Sequence, residues 1–265
     1  MDINELFSLK NKAVLITGGR VRYGRSCSVA LCEAGASLYL ASHSIEDAKP
    51  FVEELNAKGG KCEAIAYDQA DPASIKNMVE EVISKAGRID VFVNASRIMP
   101  KDGTGWMQTE IGLDEAIRVN CAAFLYMTSL VGKQMIKQRS GSIINFGSMM
   151  GLVGTEVNNY EGAPIMAAGA YMHDYALTKS GIITWSRHAA SYYGQYGIRV
   201  NTICPGGLWS KMMPEGFVEN YSKHTQLGRL ADDDDIKGPC LFLASDCSRY
   251  VTGVTLPVDG GYTGI

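Results

Sequence analysis

Two short stretches of this chain carry residue types at spacings that suggest chemistry. The first is Tyr175-Ala-Leu-Thr-Lys179. In a helix, positions i and i+4 lie on one face a turn apart, so the phenol and the ammonium are neighbours. A free tyrosine titrates near pH ~10, too high for a base at neutral pH, and a neighbouring cation favours the phenolate. Such a pair can manage a proton. Tyr-x-x-x-Lys also occurs by chance on helix surfaces, so the pair needs context. The second stretch is Thr17-Gly18-Gly19-Arg20-Val21-Arg22-Tyr23-Gly24. Glycines in a turn between a strand and a helix let the backbone approach a pyrophosphate, whose charge suits the helix N-terminus. An ordinary tight turn is the alternative, and position after a strand and before a helix decides between them.

The elements that must hold these groups alternate along the chain. Short apolar runs at Ala13–Thr17, Leu38–Ala41, Cys62–Tyr67, Val91–Asn94, Ser142–Phe146, Arg199–Ile203 and Thr255–Val258 read as strands. Segments of helical period fall between them, at Ile45–Lys58, Pro72–Ala86, Leu113–Gln138 and Asp174–Tyr193. Unbroken apolar strands need a sheet covered on both faces, which predicts an α/β fold with a doubly wound parallel sheet of the Rossmann type. No linker, repeat or low-complexity tract divides the 265 residues, so a single domain over 1–265 is expected.

Composition narrows the function classes. A net charge of -3 supplies no basic excess for nucleic acid. No apolar run is long enough for a membrane span, and the acidic start Met1-Asp2-Ile3-Asn4-Glu5 is unlike a signal peptide. The seven cysteines show no Cys-x-x-Cys pair and read as buried thiols of a reducing, cytoplasmic setting. The four histidines have no ligand-like spacing, so no metal site is expected. Asp232-Asp233-Asp234-Asp235 reads as a complement to the dipole of the following helix.

Taken together, the motifs resemble the short-chain dehydrogenase/reductase family along nearly the whole chain. Thr17 to Gly24 matches its Thr-Gly-x-x-x-Gly-x-Gly motif, and Asn94 opens the stretch equivalent to its Asn-Asn-Ala-Gly. Asp68 matches the aspartate bordering the adenine, with Gln69 beside it. Asn120, Ser148, Tyr175 and Lys179 fall at its active-site positions, and Pro205-Gly206 begins the loop that meets the nicotinamide, running through Leu208 and Ser210. The resemblance implies an NAD(P)-dependent enzyme that interconverts a carbonyl and a secondary alcohol. Gly18, Arg20, Arg22, Tyr23, Gly24, Ser42, His43, Asp68, Gln69, Asn94, Tyr175, Lys179, Pro205, Gly206, Leu208 and Ser210 would bind the cofactor. Tyr175 would exchange the proton, and Ser148 would hydrogen-bond the substrate oxygen. Lys179 would lower the tyrosine pKa and hold the nicotinamide ribose, while Asn120 would anchor a water linking the lysine to solvent. A small-molecule substrate and a homodimer or homotetramer are implied as well.

Two positions depart from the pattern. Arg22 replaces the middle glycine of the first motif, and the second reads Asn94-Ala95-Ser96-Arg97. The arginines either swing outward to contact phosphate, the favoured expectation, or narrow the cleft. At the end of the second strand stands Ser42-His43-Ser44, without the carboxylate that receives the ribose hydroxyls in NAD-preferring relatives. NADP(H) is therefore expected, with NAD possible if Ser42 accepts it without discrimination. Roughly a dozen extra residues separate Ser148 from Tyr175, a long connection for a compact domain. This insertion, at about 151–171, would either hydrogen-bond a polyhydroxylated substrate or pack against a subunit neighbour. A substrate lid is expected at about 207–228, carrying Trp209, Met212 and Met213. Trp185 and Ile182 are expected to face another helix. The insertion and the opening Leu6-Phe7-Ser8-Leu9-Lys10-Asn11-Lys12 resemble the gluconate 5-dehydrogenase-like, sugar-acid oxidoreductase branch. A non-catalytic nucleotide-binding or interaction protein is the second reading, motivated by Arg22 and Arg97. A nucleotide-sugar epimerase of the longer, related branch is disfavoured by its different glycine spacing and the early end of this chain.

Overall fold

The computed structural model describes residues 1–99, 109–161 and 173–264. Seven strands form one parallel sheet: β1 (Ala13–Thr17), β2 (Ser37–Ser42), β3 (Lys61–Ala66), β4 (Val91–Asn94), β5 (Gly141–Phe146), β6 (Ile198–Pro205) and β7 (Thr255–Val258). Their order is β3-β2-β1-β4-β5-β6-β7. The expected doubly wound parallel architecture is the one observed.

Strand alternation sorts the core into two layers. Val14 and Ile16 of β1 point to one face, where they meet Cys27 and Leu31 of α2 (Arg22–Glu33), Phe51 of α3 (Ile45–Ala57) and Leu243 of a C-terminal helix at Lys237–Ala244. Leu15 points to the other, against Met78 of α4 (Pro72–Ala86) and Met127 of the long helix after β4. Val14, Leu15 and Ile16 are all fully buried, which is why β1 shows no polar alternation in sequence.

The helix expected at Leu113–Gln138 is in fact three pieces. α5 (Glu110–Ile117) passes through a wide π-turn at Arg118–Ala122 into α6 (Ala123–Gln138). Such a turn inserts a residue into the helical ladder and re-aims the side chains within it. Gln69 holds it from below, donating to the Val119 carbonyl at 2.6 Å. The helix carrying Tyr175, α7 (Tyr175–Gly194), packs on the second face with Ala189, Ala190 and Tyr193. Trp185 meets Phe124 of α6 edge-on at 5.2 Å, so it faces another helix of its own chain.

A crevice opens where the chain order reverses, between β1 and β4, whose last residues Thr17 and Asn94 lie side by side. The segment after β6 is closed at its base by the pairing of Leu208 with Ala231, and it carries α8 (Glu215–His224). The final helix is α9 (Lys237–Ala244). The aspartate run ahead of it is engaged mainly by side chains: Arg229 binds Asp235 at 2.6 and 2.8 Å, and Ser26 donates to Asp233 at 3.2 Å. Charge pairing therefore explains these residues better than the dipole of α9.

Candidate active site

The glycine turn is built for close approach. Gly18 has φ +70, and a Cβ there would meet the Ala95 and Ser96 backbone at 2.8 Å. A Cβ on Gly24 would lie 2.1 Å from the Gly18 carbonyl, so no side chain fits. Between them Arg22 takes the left-handed conformation itself, at φ 49, and its side chain is exposed. It points outward. No side chain caps the N-terminus of α2, which leaves its first amides free to receive an anion. This cradle fits a dinucleotide pyrophosphate.

Around it the expected binding residues are mostly engaged with neighbouring groups of the chain. Tyr23 donates to the Gly206 carbonyl at 3.1 Å, tying α2 to the loop after β6, and burial pushes its phenol well up. Gly206 itself donates from its amide to Val258 at 2.9 Å, extending the register of Pro205 against that residue. Thr17 donates to Asn94 at 3.1 Å, which leaves the buried Asn94 Nδ2 without a partner. The Gln69 side chain donates to the Val119 carbonyl and accepts from the Tyr67 hydroxyl. Ser42 donates to the Ser44 carbonyl at 2.7 Å. His43 is exposed, 3.9 Å from Asp68. Arg20 reaches to 3.8 Å from Asp47 in the first turn of α3. The strand-end motif does not reveal this approach of Arg20 to Asp47. Leu208 and Ser210 lie in the loop after β6, where Ser210 accepts from the Met212 amide at 3.3 Å.

The reactive candidates converge at the C-terminal edge of the sheet. Lys179 is buried and donates from Nζ to the Phe146 carbonyl at 2.7 Å. Burial, and then the nearby charge of Arg97, bring its ammonium down to about 8. Its Nζ lies 5.9 Å from the centre of the half-buried Tyr175 ring. Ser148 starts a 3-10 turn at Met149–Gly151 and accepts from the Met150 amide at 3.1 Å. That turn lies flat on α7, since a Cβ on Gly151 would touch the Lys179 backbone at 2.8 Å. Asn120 sits in the π-turn and pairs in both directions with Ile98, its Nδ2 donating at 2.8 Å and its Oδ1 accepting at 3.0 Å. A cavity of about 10 Å³ adjoins Asn94, Asn120 and Lys179, room for a single water.

Arg97 departs from the outward swing favoured for both arginines. Its guanidinium lies 4.6 Å from the centre of the Tyr175 ring and 3.8 Å from the buried Asp174. Burial pushes Arg97 below the usual guanidinium range, while Asp174 opposes that shift. Asp174 had no sequence signal beyond preceding Tyr175.

The described part of the insertion makes contacts within its own chain. Asn159 donates to the Tyr262 hydroxyl at 2.9 Å, Asn220 of α8 donates to the Asn158 carbonyl at 3.3 Å, and Tyr160 packs on Phe217 at 5.1 Å. The Asn159 side chain and the Asn158 carbonyl thus brace the C-terminal turn and α8. Residues 162–171 of the insertion lie outside the described residues.

A family model described as enoyl-(acyl carrier protein) reductase matches residues 23–263. An L-rhamnose 1-dehydrogenase (NAD(P)(+)) of Sphingomonas sp. is 30% identical over 260 residues, covering 96% of each chain. This chain belongs to the short-chain dehydrogenase/reductase family. It is an NAD(P)-dependent oxidoreductase of that family. A 3-oxoacyl-(acyl-carrier-protein) reductase of Staphylococcus epidermidis is 34% identical over 255 residues, 95% of this chain and 98% of its own. Among solved structures, a gluconate 5-dehydrogenase from Burkholderia cenocepacia, in complex with NADP and tartrate, superposes with a TM-score of 0.87 at 25% identity over 100% of both chains.

Proposed function

We propose that this short-chain dehydrogenase/reductase uses NADP(H) to interconvert a carbonyl and a secondary alcohol on a sugar, sugar acid or similar polar substrate. The observation that carries the reading is the half-buried Tyr175 beside the buried, hydrogen-bonded ammonium of Lys179. The nicotinamide, when bound, supplies or accepts the hydride. Tyr175 Oη gives its proton to the substrate oxygen in reduction and takes it back in oxidation. The Ser148 hydroxyl accepts from an amide and keeps its own proton to donate to that oxygen. The cations of Lys179 and Arg97 attract the negative charge that develops there. Asn120 positions the segment after β4 through Ile98, and Asn94 supplies a free donor to the small cavity behind Lys179.

Arg20 supports the NADP(H) preference, because it reaches the ground beyond β2 where a 2'-phosphate would lie. The gluconate 5-dehydrogenase holds NADP, and the rhamnose dehydrogenase takes either coenzyme, which agrees with this reading. Both relatives favour a polar substrate, whereas the acyl-carrier-protein reductase favours an acyl chain. We place the enzyme in the cytoplasm as a homodimer or homotetramer. Exposed Leu125, Tyr126, Leu177 and Tyr192 on α6 and α7 support subunit contact. An NADPH-coupled screen of keto-sugars, keto-acids and 3-oxoacyl thioesters, with Tyr175→Phe as control, tests the proposal. Turnover surviving that substitution would remove the acid–base role, and preference for the thioesters would replace the substrate class.

A further inference from the structure

Arg97 stands where the family motif carries glycine, and the structure turns its side chain inward onto Tyr175. The side chain is 16% exposed, and neither Nε nor Nη2 makes a hydrogen bond among the described residues. The facing carboxylate, Asp174, is fully buried, and neither of its oxygens is hydrogen-bonded among the described residues. The two groups are 3.8 Å apart, near enough to attract and too far for a well-formed charged hydrogen bond. A buried donor left unpaired is costly, and a ligand oxygen would relieve that cost. Lys179 places a second cation by the same ring. Around Tyr175, then, two cations face one carboxylate among these named groups. The local balance is positive, and the Arg97 fork has donors to spare.

We infer that Arg97 is an anion receptor of the active site, its guanidinium taking an oxygen of a ligand carboxylate or phosphate beside Tyr175. A planar fork is suited to two oxygens at once, which a lysine or a glycine at this position would not offer. Asp174 is the positioning residue that holds the fork over the ring. The inference rests on the reading of Tyr175 as the reacting centre and adds a selection rule: hydroxy- and keto-acids are preferred over neutral alcohols and carbonyls. Two ligands carry the required oxyanion, the substrate and the cofactor, and binding measurements separate them.

The test uses Arg97→Gly, which restores the family residue, and Arg97→Lys, which keeps charge without the fork. Arg97→Gln combined with Asp174→Asn serves if a lone buried Asp174 unfolds the single variants. Tartrate and its neutral counterpart threitol are titrated calorimetrically into the free and NADPH-loaded protein, and NADPH is titrated separately by fluorescence. At least tenfold weaker tartrate binding in Arg97→Gly, with threitol and NADPH within about twofold, assigns the oxyanion to the substrate. At least tenfold weaker NADPH binding with tartrate unchanged assigns it to the cofactor. Affinities for both unchanged, or no tartrate binding by the wild type together with unchanged NADPH binding, would overturn the inference. Tyr175→Phe keeps the ring beneath Arg97, so tartrate binding that still depends on Arg97 is the expected result. Loss of turnover there with anion binding retained separates this inference from the acid–base reading.

Discussion

Lys179 donates its Nζ proton to the carbonyl oxygen of Phe146, the last residue of β5, at 2.7 Å. This bond fixes the ammonium at the sheet edge, away from solvent, and links α7 to the strand that leads into Ser148. A buried cation there has a thermodynamic signature. Burial lowers the folded-state pKa of Lys179 to about 8 from an ordinary value of 10.5. The unfolded chain therefore binds more protons between those values, and stability rises with pH across that window. Relative to Lys179→Met, the wild type should gain roughly 3 kcal/mol between pH 8 and pH 10.5. Urea unfolding of both proteins at several pH values measures this, and a constant difference would remove the buried-ammonium account.

Tyr175→Phe removes one hydroxyl from a half-buried ring and leaves its packing with Met149 and Met150 in place. A fall in kcat of about 10²–10⁴ is expected, the usual range for loss of a positioned acid–base group. The melting temperature should change little. Steady-state kinetics beside a thermal melt distinguishes this from a folding defect.

Gly24→Ala should act through the nucleotide turn. Its Cβ would lie 2.1 Å from the Gly18 carbonyl, so the turn must shift. NADPH affinity is expected to fall more than tenfold, read by fluorescence titration. Arg22→Gly, by contrast, relieves a left-handed arginine, a strain of roughly 1–2 kcal/mol partly offset by the greater freedom of glycine in the unfolded chain. It should leave stability equal or slightly higher.

Coenzyme preference turns on Arg20 and Asp47. With the two 3.8 Å apart, Asp47 competes with a 2'-phosphate for the same guanidinium. Asp47→Asn should raise kcat/KM for NADPH over NADH, and Arg20→Ala should lower that ratio about tenfold, the size of one charged contact. A ratio unmoved by Arg20→Ala would place 2'-phosphate recognition elsewhere.

The insertion supports the segment of α8 through Asn159 and Tyr262. Asn159→Ala should cost roughly 1–2 kcal/mol, since the amide is buried and bonds a buried phenol. The matching Tyr262→Phe should produce an overlapping loss, so the double variant adds little. Denaturant unfolding of the three proteins checks the coupling.

Local pattern was enough to place all seven strands within a few residues, because unbroken apolar runs between helical periods are a property of the chain itself. The i, i+4 spacing likewise made Tyr175 and Lys179 neighbours before any packing was known, and the glycine turn announced a close backbone approach. Other features belong to distance. The π-turn at Arg118–Ala122 exists because Gln69 and Ile98, remote in sequence, bond to Val119 and Asn120 there. Arg97 turned inward because α7 delivers a buried Asp174 and an aromatic face to it. Asp47 met Arg20, and Asn159 met Tyr262, only once separate helices and loops had docked. Spacing along a chain dictates which side chains share an element's face; which charges end up facing each other across elements is decided by packing.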